Sequence, residues 1–251
     1  MGGLFGAVSR RDIVLDVFFG TDYHSHLGTR SAGMAVWDKE KGCHRQIHGI
    51  GNTPLRTKFE KDLVEFSGGC GIGCISDTDP QPLLVRSKLG LYAIVTVGVV
   101  NNAEKLVSEC FAEHSLQFMA NSAGNVNTTE LVAALINEES SLVEGIRRAQ
   151  ELIDGSMTIL IMTGPDEIIA ARDRFGRLPV LLGQNEDGTC VSFESFAYHK
   201  LGYRDAYELG PGEIVRLSRA DSRTFPRPGR RCGSALFCGR TTVIPTPAMR
   251  G

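Results

Sequence analysis

The sequence predicts an α+β domain, and three observations predict it. Short apolar and β-branched runs in the first hundred residues have the length of buried strands. Three longer segments between 102 and 153 repeat their apolar residues at helical spacing. From 157 to 217 the text returns to short strand-like runs separated by turn residues. Strands, then helices, then a strand meander give sheets and helices packed in layers around shared cores.

In chain order, Gly3 to Ser9 alternates as a strand, and Asp12 to Phe19 carries helical periodicity with Asp12 as the expected N-cap. Ala32 to Trp37 reads as a strand and Lys58 to Phe66 as a short amphipathic helix. Gly71 to Ile75 and Leu91 to Val100 read as buried strands, the second rich in β-branched residues. Helices are predicted over Asn102–His114, Thr128–Asn137 and Ser141–Ile153. Strands follow at Met157–Met162, Glu167–Ala171, Pro179–Leu182, Cys190–Phe193 and Glu213–Leu217.

The 251 residues fit one large domain or two small ones, with 42% hydrophobic and 22% charged residues and a formal net charge of -2. That balance gives no argument for nucleic acid or an anionic membrane as partner. No stretch approaches the apolar length of a membrane span, and no cleavage-site pattern marks a signal peptide. Gly6 stands where an N-myristoylation signal needs Ser or Thr. Seven scattered cysteines, an odd number, read as thiols in a reducing cytoplasm rather than a disulfide framework.

The opening Gly2-Gly3-Leu4-Phe5-Gly6 resembles the start of the class II glutamine amidotransferases, whose chains begin Met-Cys-Gly-Ile-Phe-Gly. Further motifs follow in the family's order. His26-Leu27-Gly28-Thr29-Arg30-Ser31-Ala32-Gly33 resembles HRGQDSAG, Gly71 to Ser76 resembles GIGHVR, and Gln81-Pro82 matches QP. Thr96 to Asn102 resembles HNGNLTN, Asn127 to Glu130 resembles SDSE, and Arg172 to Pro179 resembles RDPNGIRPL. Ser192 to Ser195 resembles ASES, and Glu208 to Glu213 reads ELGPGE. The resemblance covers about 2–217 and is strongest to the glutaminase half of amidophosphoribosyltransferase. It implies the four-layer αββα fold of N-terminal-nucleophile hydrolases, purine-biosynthesis chemistry, and a phosphoribosyltransferase-like partner domain in cis or trans, with homo-oligomerisation a further expectation. No cofactor and no metal are expected.

The departures from that family fall where its chemistry happens. Gly2 stands at the nucleophilic Cys, Leu27 at the motif Arg, and Ser76 at the Arg that holds the substrate carboxylate. Val97 and Gly98 occupy the oxyanion-hole Asn-Gly pair, and Thr128 the Asp that reads the substrate ammonium. Loss of one oxyanion donor alone costs about 10²–10³ in rate, and loss of the nucleophile removes the covalent route. The expected outcome is an inactive glutaminase acting as a scaffold or regulatory half. The alternatives are an enzyme that uses the Gly2 α-amine after loss of Met1, or a decayed fragment. Gly28, Gly33, Gly71, Gly73 and Gly176 are expected to hold tight turns or close backbone approaches.

Other constellations read as structural. His24 and His26 would share one side of a strand and His44 and His48 one helical face; the expectation is separate surface or interface histidines, not a metal site. Cys70 and Cys74 lack a second pair, and Cys74 is expected in the core. Asp77 and Asp79, flanked by Pro80 and Pro82, read as turn residues rather than acid–base partners. The domain is set at 1–217. Residues 218–251, basic and with four prolines, form an irregular tail. Under one choice of synonymous codons, 232–251 shifted by one base read MRICSFLWSYYGYPNSCYEG. That string resembles the family's connection to its transferase domain, so a frameshifted start of that domain is expected there.

Overall fold

The computed structural model describes residues 2–114 and 126–219 together with the two-residue strand Val243–Ile244. The first sheet has seven strands. β1 (Gly2–Ser9) lies at its centre, between β4 (Cys70–Ser76) and β10 (Gly188–Ser192). β2 (Ser31–Asp38) and β3 (Gly42–Gly49) extend it on the β4 side, and β9 (Leu181–Gln184) and β11 (Arg204–Glu208) on the β10 side. The second sheet has six strands in the order β13-β12-β8-β7-β6-β5. These are β5 (Leu83–Ser87), β6 (Gly90–Val100), β7 (Gly155–Gly164), β8 (Glu167–Ala171), β12 (Ile214–Ser218) and β13 (Val243–Ile244). All the pairings are antiparallel.

Three hydrophobic cores turn the two sheets into four layers. Alternation along β6 shows how: Ala93, Val95 and Val97 point into the core between the sheets, whereas Tyr92 and Ile94 point to helices. The inter-sheet core also takes Leu4 and Val8 of β1 and Ile72 and Cys74 of β4. On the outer face of the second sheet lie α3 (Ala103–His114), α4 (Thr128–Glu138) and α5 (Leu142–Leu152). On the outer face of the first lie α1 (Val14–Asp22), α2 (Leu55–Phe59) and α6 (Ser195–His199). This is the αββα arrangement that the resemblance implied.

The helices start where their sequences provide caps. The Asn127 side chain accepts from Thr129 N and Glu130 N, and Ser141 Oγ from Glu144 N. At α1 the N-cap position is Ile13 rather than Asp12, although the Asp12 carboxylate still accepts from Val14 N at 3.0 Å. The segment expected as one helix over 58–66 divides into α2 and a 3-10 turn at Asp62–Glu65. His44 and His48 lie on strand β3, not on a helix, and β3 itself was not expected. His24 is fully buried rather than at the surface, next to the 3-10 turn Ser25–Leu27.

Among the glycines expected to permit close approach, Gly33 is the clearest: a Cβ there would sit 1.8 Å from the Gln81 carbonyl oxygen. Gly73 lets α1 lie against β4, its Cβ position being 2.0 Å from Thr21 Oγ1. Gly28 has extended backbone that any residue adopts. Of the expected irregular tail, Val243 and Ile244 pair with Val215 and Ile214; 220–242 and 245–251, with the frameshift reading, lie outside the described residues.

Candidate functional site

Strand pairing brings several of the singled-out positions to one end of the sandwich. Gly2 is the first residue of β1 and lies opposite Ser76 at the end of β4; Ser76 in turn lies opposite Ser31 of β2. Gly2 is buried, and a Cβ on it would meet the Ile75 carbonyl oxygen at 2.4 Å. Ser76 is buried too, and its hydroxyl accepts from Thr78 N at 3.2 Å. The hydroxyl therefore serves the local turn.

The loop from Asp77 to Pro82 then crosses from the first sheet to the second, pinned on every side. Asp77 accepts from Thr29 N at 2.6 Å, and the Arg30 guanidinium donates to the Asp77 carbonyl at 3.1 Å. The Thr29 N–H holds the Asp77 carboxyl below the usual carboxylate range. Asp79, buried, accepts on Oδ2 from both Thr128 N at 2.9 Å and Thr128 Oγ1 at 2.6 Å. A carboxylate at the first residue of α4 satisfies an orphan N–H and complements the helix dipole. Gln81 bridges Thr96, donating to its carbonyl at 3.0 Å and accepting from its N–H at 2.7 Å.

Thr96 Oγ1 lies 2.7 Å from Thr129 Oγ1, which fixes β6 against α4. The next residue, Val97, turns its apolar side chain into the inter-sheet core. Gly98 is exposed, and the Ser156 carbonyl oxygen would lie 1.9 Å from a Cβ there. Leu27 closes the 3-10 turn and packs against the edge of the inter-sheet core. On the rim, His26 Nε2 lies 3.2 and 3.1 Å from the two Glu194 carboxylate oxygens.

No nucleophile–base pair open to substrate emerges from these contacts. Gly2 has no side chain, and burial pushes the Cys74 thiol well up, away from the reactive thiolate. Ser192 Oγ lies 3.1 Å from His24 Nε2, and His24 Nδ1 lies 2.6 Å from the Gly20 carbonyl, which fixes the proton on Nδ1. The pair has the look of a serine and its base, but both residues are fully buried, so substrate has no approach. Burial also lowers the His24 pKa, keeping the ring neutral. Thr158, opposite Val97, has a buried hydroxyl without a partner among the described residues. No group of three His, Cys, Asp or Glu side chains among the described residues could hold a metal ion. Nor is any described helix long and apolar enough to cross a membrane.

Sequence reading missed Asp79. It looked like a turn residue, and its partner Thr128 lies 49 residues away with no local signal to link them. It also missed the part played by Arg172 and Asp173. The Arg172 guanidinium donates to the carbonyls of Leu178, Gly176 and Leu209 and to the Glu208 carboxylate. The Asp173 carboxylate, 2% exposed, accepts from the N–H groups of Phe175, Arg177 and Leu178. Gly176 turns this loop with φ +66°. The result is a knot that ties the β8–β9 connection to the ELGPGE segment.

The comparisons with known proteins agree with this geometry. The family profile described as a glutamine amidotransferase domain matches residues 72–198, just over half of the chain. The amidophosphoribosyltransferase of Methanocaldococcus jannaschii is 28% identical over 233 residues, covering 86% of this chain and 47% of that protein. The isomerizing glutamine–fructose-6-phosphate aminotransferase of Photorhabdus laumondii is 28% identical over 240 residues, covering 92% of this chain and 37% of that one. Among solved structures, the glutamine phosphoribosylpyrophosphate amidotransferase of B. subtilis, complexed with ADP and GMP, superposes with a TM-score of 0.75 at 24% identity. It covers 86% of this chain and 47% of its own. This chain thus spans half or less of the length of these relatives. With profile, relatives and fold in agreement, the chain belongs to the glutamine amidotransferase domain family.

Proposed function

We propose that this amidotransferase domain no longer hydrolyses glutamine and acts as the non-catalytic half of a protein that also carries a phosphoribosyltransferase-like domain, in cis or in trans. The observation that carries the first part is Gly2. It offers no nucleophile, and its backbone is laid so close to the Ile75 carbonyl that a Cβ would stand 2.4 Å from that oxygen. The surrounding positions support the same reading. Ser76 and Thr128 spend their hydroxyls on Thr78 and Asp79, and the aliphatic side chains of Val97 and Leu27 pack in the inter-sheet core. The second part is supported by the relatives named amidophosphoribosyltransferase, of which the chain spans about half.

The test is ammonia release from glutamine together with labelling by an electrophilic glutamine analogue, read by mass spectrometry. Neither ammonia above background nor label is expected. Stoichiometric labelling of any cysteine or of the amino terminus would sink the proposal. Gly2→Cys alone is expected to stay inactive, because the returned Cβ must displace the Ile75 carbonyl and no carboxylate-reading arginine stands at Ser76.

A further inference from the structure

The first sheet ends on β3, and the outer edge of that strand is open. β3 pairs with β2 without interruption from Gly42 to Gly49, with no bulge and no proline. Among the described residues, no backbone N–H or carbonyl of β3 finds a partner on its far side. A long, regular edge of this kind is a template for one more strand. β5, the last strand of the second sheet, lies on the same side of the sandwich. Arg45 of β3 links the two edges by donating to the Pro82 carbonyl at 3.3 Å, just before β5 begins.

Side-chain alternation decides what an added strand would meet. Cys43 and Arg45 face the same way as Trp37 and Ala35 opposite them, toward the inter-sheet core. On β5, Leu83 and Val85 pack with the helices, so Leu84 and Arg86 face the inter-sheet side as well. Leu84 is 40% exposed, and Arg45 and Arg86 are both exposed. Neither arginine bonds to a carboxylate among the described residues. The other face of β3 is already engaged: His48 Nε2 lies 2.5 Å from Asp62 Oδ2, and the His44 ring packs on Phe66. The open side of the sandwich thus joins a free strand edge to two uncompensated cations.

We propose that the outer edge of β3 takes up an extended acidic segment of another protein as an eighth strand of the first sheet. Main-chain hydrogen bonds hold the segment, and carboxylates on its alternate residues meet Arg45 and Arg86. A second copy of the chain is disfavoured as the occupant, because pairing β3 with itself brings two Arg45 side chains onto one face. None of the positions at the Gly2 end takes part, so the proposal stands whether or not the domain hydrolyses glutamine.

The test is fluorescence anisotropy of a labelled peptide in which Glu alternates with Val over the 8-residue length of β3, titrated with the full chain. Saturable binding is expected, weakened at least about tenfold by Arg45→Glu combined with Arg86→Glu. Methylating the peptide's backbone nitrogens removes its donors while keeping its charge, and is expected to abolish binding, as is Lys in place of Glu. These two peptide changes leave the protein untouched, so they decide the matter should the arginine reversal unfold it. Absence of binding, or binding indifferent to backbone methylation or to charge, overturns the proposal. Self-association of the chain that the peptide dissolves would assign the edge to a second copy and overturn it too.

Discussion

Two loops at the same end of the sandwich have kept their polar side chains to different degrees. In the knot, Arg172 and Asp173 spend every bond on backbone groups or on Glu208. Around Gly2, by contrast, Gly2 has no side chain, Leu27 and Val97 are apolar, and the hydroxyls of Ser76 and Thr128 bond to Thr78 and Asp79. The difference separates two kinds of constraint. A side chain that satisfies buried backbone groups cannot be removed without leaving them unpaired, and that cost falls on folding itself. A side chain that would touch only a ligand carries no such cost.

The strongest way to break this contrast is to remove the knot's carboxylate. Asp173→Ala strands three N–H groups at a 2% exposed site and is expected to cost about 3 kcal/mol, or about 6–12 °C in Tm for a chain of this size. A loss below 1 kcal/mol in urea unfolding would remove the distinction drawn above. Next comes Thr128→Asp. It places a second carboxylate against Asp79, whose Oδ2 now lies 2.6 Å from Thr128 Oγ1. Repulsion between two ionised carboxylates at this contact is expected to destabilise the fold. A penalty of about 2 kcal/mol at neutral pH, shrinking below pH 4 and relieved by Asp79→Asn, is the expected pattern.

His24 belongs on the structural side of the contrast, and its titration sharpens it. Burial lowers its folded-state pKa below the ordinary 6.5. The unfolded chain therefore binds the proton first, and the contribution present above 6.5 is lost as pH falls toward the lowered value. The slope should approach about 1.4 kcal/mol per pH unit and largely vanish from the stability–pH curve of His24→Gln. Smallest of all is Ser76→Ala, which removes only the turn's bonds to Thr78 N and Thr78 Oγ1 and should change unfolding free energy by about 0.5–1 kcal/mol. A larger loss would mean that the Gly2 end still carries structural weight in its side chains.

What the sequence made legible follows from how local each cause is. Glu167–Ala171 has the bounds predicted for it, and the helices at 128 and 141 start at caps written next to them. β3 was not legible, because Cys-His-Arg-Gln-Ile-His has few apolar residues and earns its strand by pairing with β2 at the sheet edge. The burial of His24 follows from Gly3 and Ser192, which reach it through the sheet. Of the site, the pairing of Gly2 with Ser76 across β1 and β4 joins two positions that the motifs singled out. That Asp79 occupies Thr128 could not be foreseen, since a cap supplied from 49 residues away leaves no periodicity to read.

The place of β1 has a bearing on how the chain is made. β1 is the middle strand of seven, and one of its two neighbours, β10, does not begin until Gly188. At synthesis rates of about 5–20 residues per second, that neighbour follows about 10–40 seconds behind. During that interval β1, buried on both faces in the finished fold, has one free edge and no finished core. Its apolar Leu4, Phe5 and Val8 are then the residues for which a nascent-chain chaperone would compete.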